Sequence, residues 1–195
     1  MARTAKVERR TTETEVSVTV VLDGDGEGKI DTTVPFLDHM IVLLAKHGSF
    51  DIAIKSSGDT EVDDHHLVED IGICLGRAVR DALGDKEGIV RYGEGTVPMD
   101  ESLCSVALDV SGRPCLIYNA SFGTGKIGNF DPALLKEFFK AFSDQGGITL
   151  HINLLYGKNK HHKAEAIFKA FACALKKAVT IDSKIKGVLS TKGVL

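Results

Sequence analysis

The chain has 195 residues, of which 43% are hydrophobic and 26% are charged, and its formal net charge is −3. This composition is that of an ordinary globular protein and argues against extended disorder, while the length suits one domain or at most two small ones. The charge balance lacks the basic surplus of nucleic-acid-binding proteins. Because no apolar run is long enough to span a membrane, and residues 1–10 lack the apolar segment of a secretory signal, we expect a cytoplasmic protein.

The cysteines predict reduced thiols and no disulfide. Cys74, Cys104, Cys115 and Cys173 include no closely spaced pair. A chain of this length buries enough apolar surface to fold without covalent bridges. We therefore expect the four side chains to act as small buried apolar groups.

The first half of the chain predicts strand, helix, strand and helix in that order. Runs of β-branched residues and alternating patterns indicate the strands, and apolar residues at a 3.6-residue period indicate the longer helix. Asp38 is expected to cap the shorter helix. We expect strands over residues 16–22 and 50–55 and helices over residues 39–47 and 65–83.

The second half repeats this order after a break near residues 84–95. Asp131 and Pro132 form a typical helix start, with proline in the first turn. We expect strands over residues 102–110, 116–122 and 148–155 and helices over residues 131–144 and 161–179.

The two halves align with one another, which indicates an internal duplication. In this alignment Glu13 falls on Glu101 and His39 falls on Glu137, and each half carries one His-His-x-x-Glu sequence. The expected fold is α+β, with two duplicated βαβα-type halves, each a small antiparallel or mixed sheet with two helices on one face. We place the halves at residues 1–88 and 89–195.

The paired histidines are the strongest chemical signal in the chain, because four of its seven histidines lie in the two His-His-x-x-Glu sequences. Successive helical residues are about 100° apart, so the glutamate projects between its two histidines and should form one patch with them. Adjacent histidines nevertheless diverge too far to share one ion, so each pair should serve two metal centres or two subunits. Imidazole with carboxylate suits Mn²⁺, Fe²⁺, Co²⁺, Ni²⁺ or Zn²⁺.

Two further histidines are candidate ligands with open alternatives. His39 follows Asp38, whose carboxylate could orient its ring. His151 lies in a predicted strand between two apolar residues and is either a core histidine or a ligand.

Longer motifs extend the pattern over nearly the whole chain and resemble the imidazoleglycerol-phosphate dehydratase family of histidine biosynthesis. The resemblance rests on RRTTET (9–14), PFLDHM (35–40), DDHHLVED (63–70), PMDE (98–101), SGRP (111–114), HHKAEA (161–166), FKAF (168–171) and STKGVL (190–195). Since the match begins almost at residue 1, the chain resembles the stand-alone dehydratase without the phosphatase domain that some bacteria fuse to it.

The resemblance implies a fold like the second domain of ribosomal protein S5 and a homo-oligomeric shell of about 24 chains, with active sites between chains. It also implies two Mn²⁺ ions per active site, which act as Lewis acids. By motif position the implied ligands are His39, His65, His66, Glu69, His151, His161, His162 and Glu165.

The implied reaction converts D-erythro-imidazole-glycerol phosphate into imidazole-acetol phosphate and water, through a metal-bound imidazolate and a diazafulvene. The resemblance makes Glu13 the mobile acid–base residue, whereas its counterpart Glu101 is expected to be structural. The implied phosphate-binding residues are Arg91, Arg113, Lys169, Ser190 and Lys192.

Two other classes of function compete with this interpretation. A dinuclear phosphohydrolase would be richer in aspartate than these candidate ligands are. A non-catalytic assembly linked by metal would need neither Glu13 nor the C-terminal residues Ser190 and Lys192. The chain has no P-loop and no dinucleotide fingerprint, which argues against ATP or NAD as a partner.

Overall fold

The computed structural model describes residues 2–193 and 195. Met1 and Val194, which the two predicted halves include, lie outside the described residues. Four helices and eight strands form within the described part, and the strands make two four-stranded sheets. None of the helices in these described residues combines the length and the apolar character needed to cross a membrane.

Each half has the same order of elements along the chain. The first half consists of β1 (Thr4–Arg10), β2 (Thr14–Val21), β3 (Gly28–Asp31), α1 (Pro35–Gly48), β4 (Asp51–Gly58) and α2 (His65–Leu83). The second half consists of β5 (Tyr92–Met99), β6 (Ser102–Asp109), β7 (Cys115–Asn119), α3 (Leu134–Gly146), β8 (Thr149–Tyr156) and α4 (Lys160–Val179).

The two sheets also share one topology, β1-β2-β4-β3 in the first half and β5-β6-β8-β7 in the second. In each sheet the third strand of the half pairs parallel to the fourth, and the other pairs are antiparallel. Strand residues alternate between a buried and an open face, as Val16, Val18 and Val20 of β2 show by facing the core. The duplicated α+β fold is therefore confirmed.

Two pairs of helices form most of the helix–helix packing, α2 with α3 and α1 with α4. Two glycines of α2 allow α2 and α3 to pack closely. A Cβ atom on Gly72 would lie 2.6 Å from the carbonyl oxygen of Phe138, and a Cβ atom on Gly76 would clash with the carbonyl oxygen of Phe142. Below this contact lies a cluster of buried aromatic rings. They are Phe138, Phe139, Phe142, Phe168 and Phe171.

Both shorter helices begin at residues other than those predicted. Helix α1 begins at Pro35, so Asp38 lies within its first turn, and the Asp38 carboxylate accepts a hydrogen bond from the backbone N–H of Thr32 at 2.9 Å. Proline suits the first helical position because its missing N–H needs no partner there. Helix α3 begins at Leu134, since Asp131 and Pro132 form a turn before it.

Three strands, β1, β3 and β5, are not predicted by the local sequence pattern. Strand β5 contains Gly93, Gly95 and Pro98, which are all unfavourable in strand interiors. The structure gives the reason for the glycines, because a Cβ on Gly95 would lie 2.6 Å from the carbonyl oxygen of Ala170 in α4. Close packing of β5 against α4 therefore requires glycines, and glycines lower the strand propensity of this segment.

All four cysteines are free thiols in the structure. Cys74 and Cys104 are buried as expected, and burial raises the pKa of their thiols to about 11 and about 12. Cys173 is half-buried, whereas Cys115 is exposed on β7, so the expectation of burial was wrong for Cys115.

Candidate metal centre and active site

The first two turns of α1 and α4 bring three candidate ligands together, and we call them the Glu165 group. The Oε1 atom of Glu165 lies 3.1 Å from Nε2 of His39 and 3.0 Å from Nε2 of His161. One ligand atom from each residue lies within 4.8 Å of the other two. Two imidazoles and a carboxylate form a donor set that fits a first-row transition metal.

Glu165 is 8% exposed and ionised, and Lys169 helps to keep it so. Burial alone would raise the pKa of Glu165, but hydrogen bonds from Lys169 and His39 outweigh burial and lower that pKa to about 2. The Nζ atom of Lys169 donates to Oε2 of Glu165 at 2.6 Å. Lys169, predicted to bind phosphate, thus pairs with a candidate metal ligand in this chain.

The second half separates its two adjacent histidines. The rings of His161 and His162 stand at 86° to each other with centroids 6.5 Å apart. His161 faces Glu165, while Nδ1 of His162 lies 2.7 Å from Oε2 of Glu101. The predicted single patch of two imidazoles and one carboxylate is therefore wrong here, because the glutamate one turn away contacts only the first histidine.

The first half repeats this divergence with a different partner. Nε2 of His65 lies 3.7 Å from Oε2 of Glu69, and Nδ1 of His66 lies 3.0 Å from Oδ2 of Asp59. Glu13 also approaches His66, with 3.7 Å between Oε2 and Nδ1. Glu13, Asp59 and His66 thus form a second group whose geometry could hold an ion.

Carboxylates raise the pKa of the second histidine in each pair. The hydrogen bond with Glu101 raises the pKa of His162, and the hydrogen bond with Asp59, followed by the charge of Glu13, raises that of His66. The sequence predicts only a structural role for Glu101 and no role for Asp59. Alignment of the halves placed Glu101 opposite Glu13, but Asp59 lies in a loop without a motif.

His151 lies apart from the other candidate ligands. It is exposed on the open face of β8, between Ala107 of β6 and Ile117 of β7 in the sheet register. The other predicted histidine ligands are carried by α1, α2 and α4, and of these helices α4 packs against the second sheet through β5, β6 and β8. Within the described chain, His151 therefore joins neither group of ligand atoms.

A cleft beside the Glu165 group has about 630 Å³ of volume, and we call it the Phe36 cleft. Phe36 packs against Phe130 with ring centroids 5.0 Å apart and meets His161 edge to face at 5.4 Å. His39, Thr60 and Asp64 add polar atoms to the cleft. An aromatic wall with a few polar groups, at this volume, suits a small cyclic ligand.

Four of the five predicted phosphate-binding residues line another groove, which we call the tail groove. They are Arg91, Arg113, Ser190 and Lys192. The guanidinium of Arg91 is already held, because Nε donates to Asp109 at 2.7 Å and Nη1 donates to the carbonyl oxygen of Leu189 at 2.7 Å. Arg113, Ser190 and Lys192 are more exposed and offer donors to an anion.

Comparison with known proteins gives consistent matches over the chain. Residues 32–175 match the family model of imidazoleglycerol-phosphate dehydratase. The protein of that name from Syntrophus aciditrophicus is 62% identical over 194 residues, covering 99% of this chain and 98% of its own length. The Geobacter sulfurreducens protein of that name is 54% identical over 195 residues, with 100% of both chains covered.

Two solved structures are similar in fold and in sequence. Imidazoleglycerol-phosphate dehydratase from Staphylococcus aureus matches with a TM-score of 0.83 and 40% identity, covering 92% of this chain and 99% of that one. The Pyrococcus furiosus enzyme, in complex with (S)-C348, matches with a TM-score of 0.84 and 36% identity, covering 97% and 100%.

Proposed function

The chain belongs to the imidazoleglycerol-phosphate dehydratase family, hydro-lyases of histidine biosynthesis, and we propose that it dehydrates D-erythro-imidazole-glycerol phosphate with Mn²⁺ as cofactor. The product is imidazole-acetol phosphate. The convergence of His39, His161 and Glu165 beside the Phe36 cleft is the observation that carries this proposal.

The Glu165 group fits one metal ion, since its three ligand atoms already face one another. A bound Mn²⁺ ion supplies Lewis acidity to the imidazole ring and the hydroxyl group of the substrate. His65 and Glu69 are the counterparts of His161 and Glu165 in the first half and would hold the second ion. His66 and His162 diverge from their neighbouring histidines and would supply ligands to ions shared with other chains. His151 stands on the open face of its sheet, so it remains a proposed ligand that would reach an ion only at the contact with a neighbouring chain.

Glu13 is the proposed acid–base residue. The reaction removes a proton from a carbon without a neighbouring carbonyl, so the imidazole ring of the substrate must accept the electrons and a nearby base must accept the proton. The carboxylate of Glu13 is 55% exposed and lies 3.7 Å from His66, so it is close to the proposed ligands and free to reach a substrate.

The phosphate group is proposed to bind at the tail groove, where Arg113 and Lys192 supply charge and Ser190 supplies a hydroxyl. The linings of the tail groove and the Phe36 cleft share no residue. This separation supports active sites assembled from neighbouring chains in a symmetric homo-oligomer, which we propose has about 24 subunits.

The test is turnover of imidazole-glycerol phosphate by protein stripped with a chelator and then reloaded with Mn²⁺. We expect activity to vanish on stripping and to return with Mn²⁺. Absence of turnover, with metal bound and the oligomer intact, would instead favour the metal-linked assembly without catalysis.

A further inference from the structure

The two halves differ at the turn that carries the aligned carboxylates Glu13 and Glu101. In the second half only Asp100 and Glu101 separate the paired residues Met99 and Ser102. Asp100 has a φ of 47°, in the left-handed region that a tight turn requires. In the first half residues 11–14 lie between the paired residues Arg10 and Glu15, so the loop is longer. Glu101 is therefore held close to its sheet, whereas Glu13 lies in a wider loop.

Glu101 uses both of its carboxylate oxygens within the protein. Oε1 accepts hydrogen bonds from the backbone N–H groups of Lys158 and Asn159 at 3.0 and 2.7 Å. It also accepts one from the hydroxyl of Ser102 at 3.2 Å. Oε2 lies 2.7 Å from Nδ1 of His162. These contacts join the β5–β6 turn to the loop that leads into α4.

This arrangement decides which ring nitrogen of His162 carries the proton. An ionised carboxylate only accepts hydrogen bonds, so Nδ1 must be the donor. In the neutral ring the lone pair then lies on Nε2, which is the atom left to bind a metal.

In the first half a residue other than the aligned glutamate holds the proton on Nδ1 of the histidine. Oδ2 of Asp59 lies 3.0 Å from Nδ1 of His66, which is closer than Glu13 at 3.7 Å. Asp59 follows β4, outside the turn that carries Glu13. Because Asp59 orients His66, the carboxylate of Glu13 is not needed for that purpose.

We propose that Glu101 and Asp59 are positioning residues, which fix His162 and His66 as the Nδ1–H tautomer and so make Nε2 their metal-binding atom. The inference deepens the proposed function, since it rests on these histidines holding a metal. It assigns the two aligned glutamates different tasks, with Glu101 holding a ligand and Glu13 left for proton transfer.

The experiment compares Glu101→Gln with the matched variant Glu13→Gln, both stripped and titrated with Mn²⁺ against a fluorescent chelator at one fixed pH. The single side-chain oxygen of glutamine at position 101 can accept from the backbone N–H groups only if the NH₂ group turns towards Nδ1 of His162. The Nε2–H tautomer of His162 is then favoured, and we expect Mn²⁺ affinity to fall by about 10- to 100-fold. Raised Mn²⁺ should restore turnover.

Glu13→Gln is expected to keep the Mn²⁺ affinity of the unmodified protein and to lose turnover by about 10²- to 10⁴-fold at any Mn²⁺ concentration. Full turnover by Glu13→Gln would overturn its acid–base role in the proposed function. It would leave the positioning proposal intact, because that proposal is judged by metal affinity.

Asp59→Asn provides a second test that does not depend on the loop before α4, in case Glu101→Gln fails to fold. We expect a similar loss of affinity with the number of Mn²⁺ ions per chain unchanged at saturation. Loss of one ion per site would make Asp59 a ligand and overturn its positioning role. Unchanged affinity in the folded variants would overturn the proposal as a whole.

Discussion

Protons and metal ions compete for the same histidine nitrogens, and the surrounding carboxylates affect this competition. In the metal-free chain Glu101 and Asp59 raise the pKa of His162 and His66, so these rings take up protons at a higher pH than an isolated histidine with its pKa of about 6.5. Glu165, with a pKa of about 2, stays ionised throughout this range. Acid should therefore act on the histidines well before it acts on Glu165.

We expect the holoprotein to release Mn²⁺ as the pH falls through the histidine range, about 7 to 5. Dialysis at a series of pH values followed by metal analysis measures this release. Retention of all the metal at pH 4 would contradict ligation by histidine.

Asp70 is a buried charge that connects α2 to the loop carrying Glu13. It is 7% exposed, accepts from Nε of Arg9 at 2.8 Å and accepts from the hydroxyl of Thr14. Asp70→Ala leaves both donors without this acceptor, so we expect a loss of about 2 kcal/mol in the free energy of unfolding. Urea denaturation at fixed protein and metal concentration measures the change. Asp81→Ala, at an exposed position of the same helix, is the control and should change stability by less than about 0.5 kcal/mol.

At the scale of whole elements, the contact between α2 and α3 depends on the absence of side chains at Gly72 and Gly76. Alanine is the better helix former by about 1 kcal/mol, so Gly76→Ala would stabilise an isolated helix. Here the new methyl group would fall on the carbonyl oxygen of Phe142, and the helices would have to separate.

We therefore expect Gly76→Ala to lower the melting temperature, with a net cost of about 1–3 kcal/mol from overpacking. Arg77→Ala, at an exposed position next to it, should leave the melting temperature nearly unchanged. A higher melting temperature for Gly76→Ala would show that the helix pair adjusts without strain.

The sequence predicted those elements whose local pattern agrees with their environment, such as α2 and α4. Strand β5 was missed because Gly93 and Gly95 serve the packing against α4 rather than the strand itself. The same limit applies to the site. The His-His-x-x-Glu sequences identified the helix faces, but the partners Asp59 and Glu101 come from loops that only the tertiary fold brings to His66 and His162.

At the scale of the whole molecule, two features bear on the proposal that active sites form between chains. The Phe36 cleft and the tail groove share no lining residue, and the open face of the second sheet exposes apolar side chains such as Ile117, Leu155 and Tyr156. These features support association of chains through surfaces that include the site.

If metal ions join ligands from neighbouring chains, removing them should weaken the assembly. We expect a chelator to shift the protein to smaller species in size-exclusion chromatography with light scattering, and added Mn²⁺ to reverse the shift. An assembly of the same size with and without metal would contradict this expectation.

The difference in length between the turns at Glu13 and Glu101 has a consequence for how a duplicated protein acquires catalysis. Two copies of one module begin with equivalent carboxylates next to equivalent histidines, and in that symmetric state both carboxylates would position a histidine. A longer loop in one copy, together with Asp59 as the residue that positions His66, would leave one of the two carboxylates available for proton transfer. If Glu13 is the proposed acid–base residue, shortening residues 11–14 to the length of the other turn should produce a protein that still binds metal and has lost turnover.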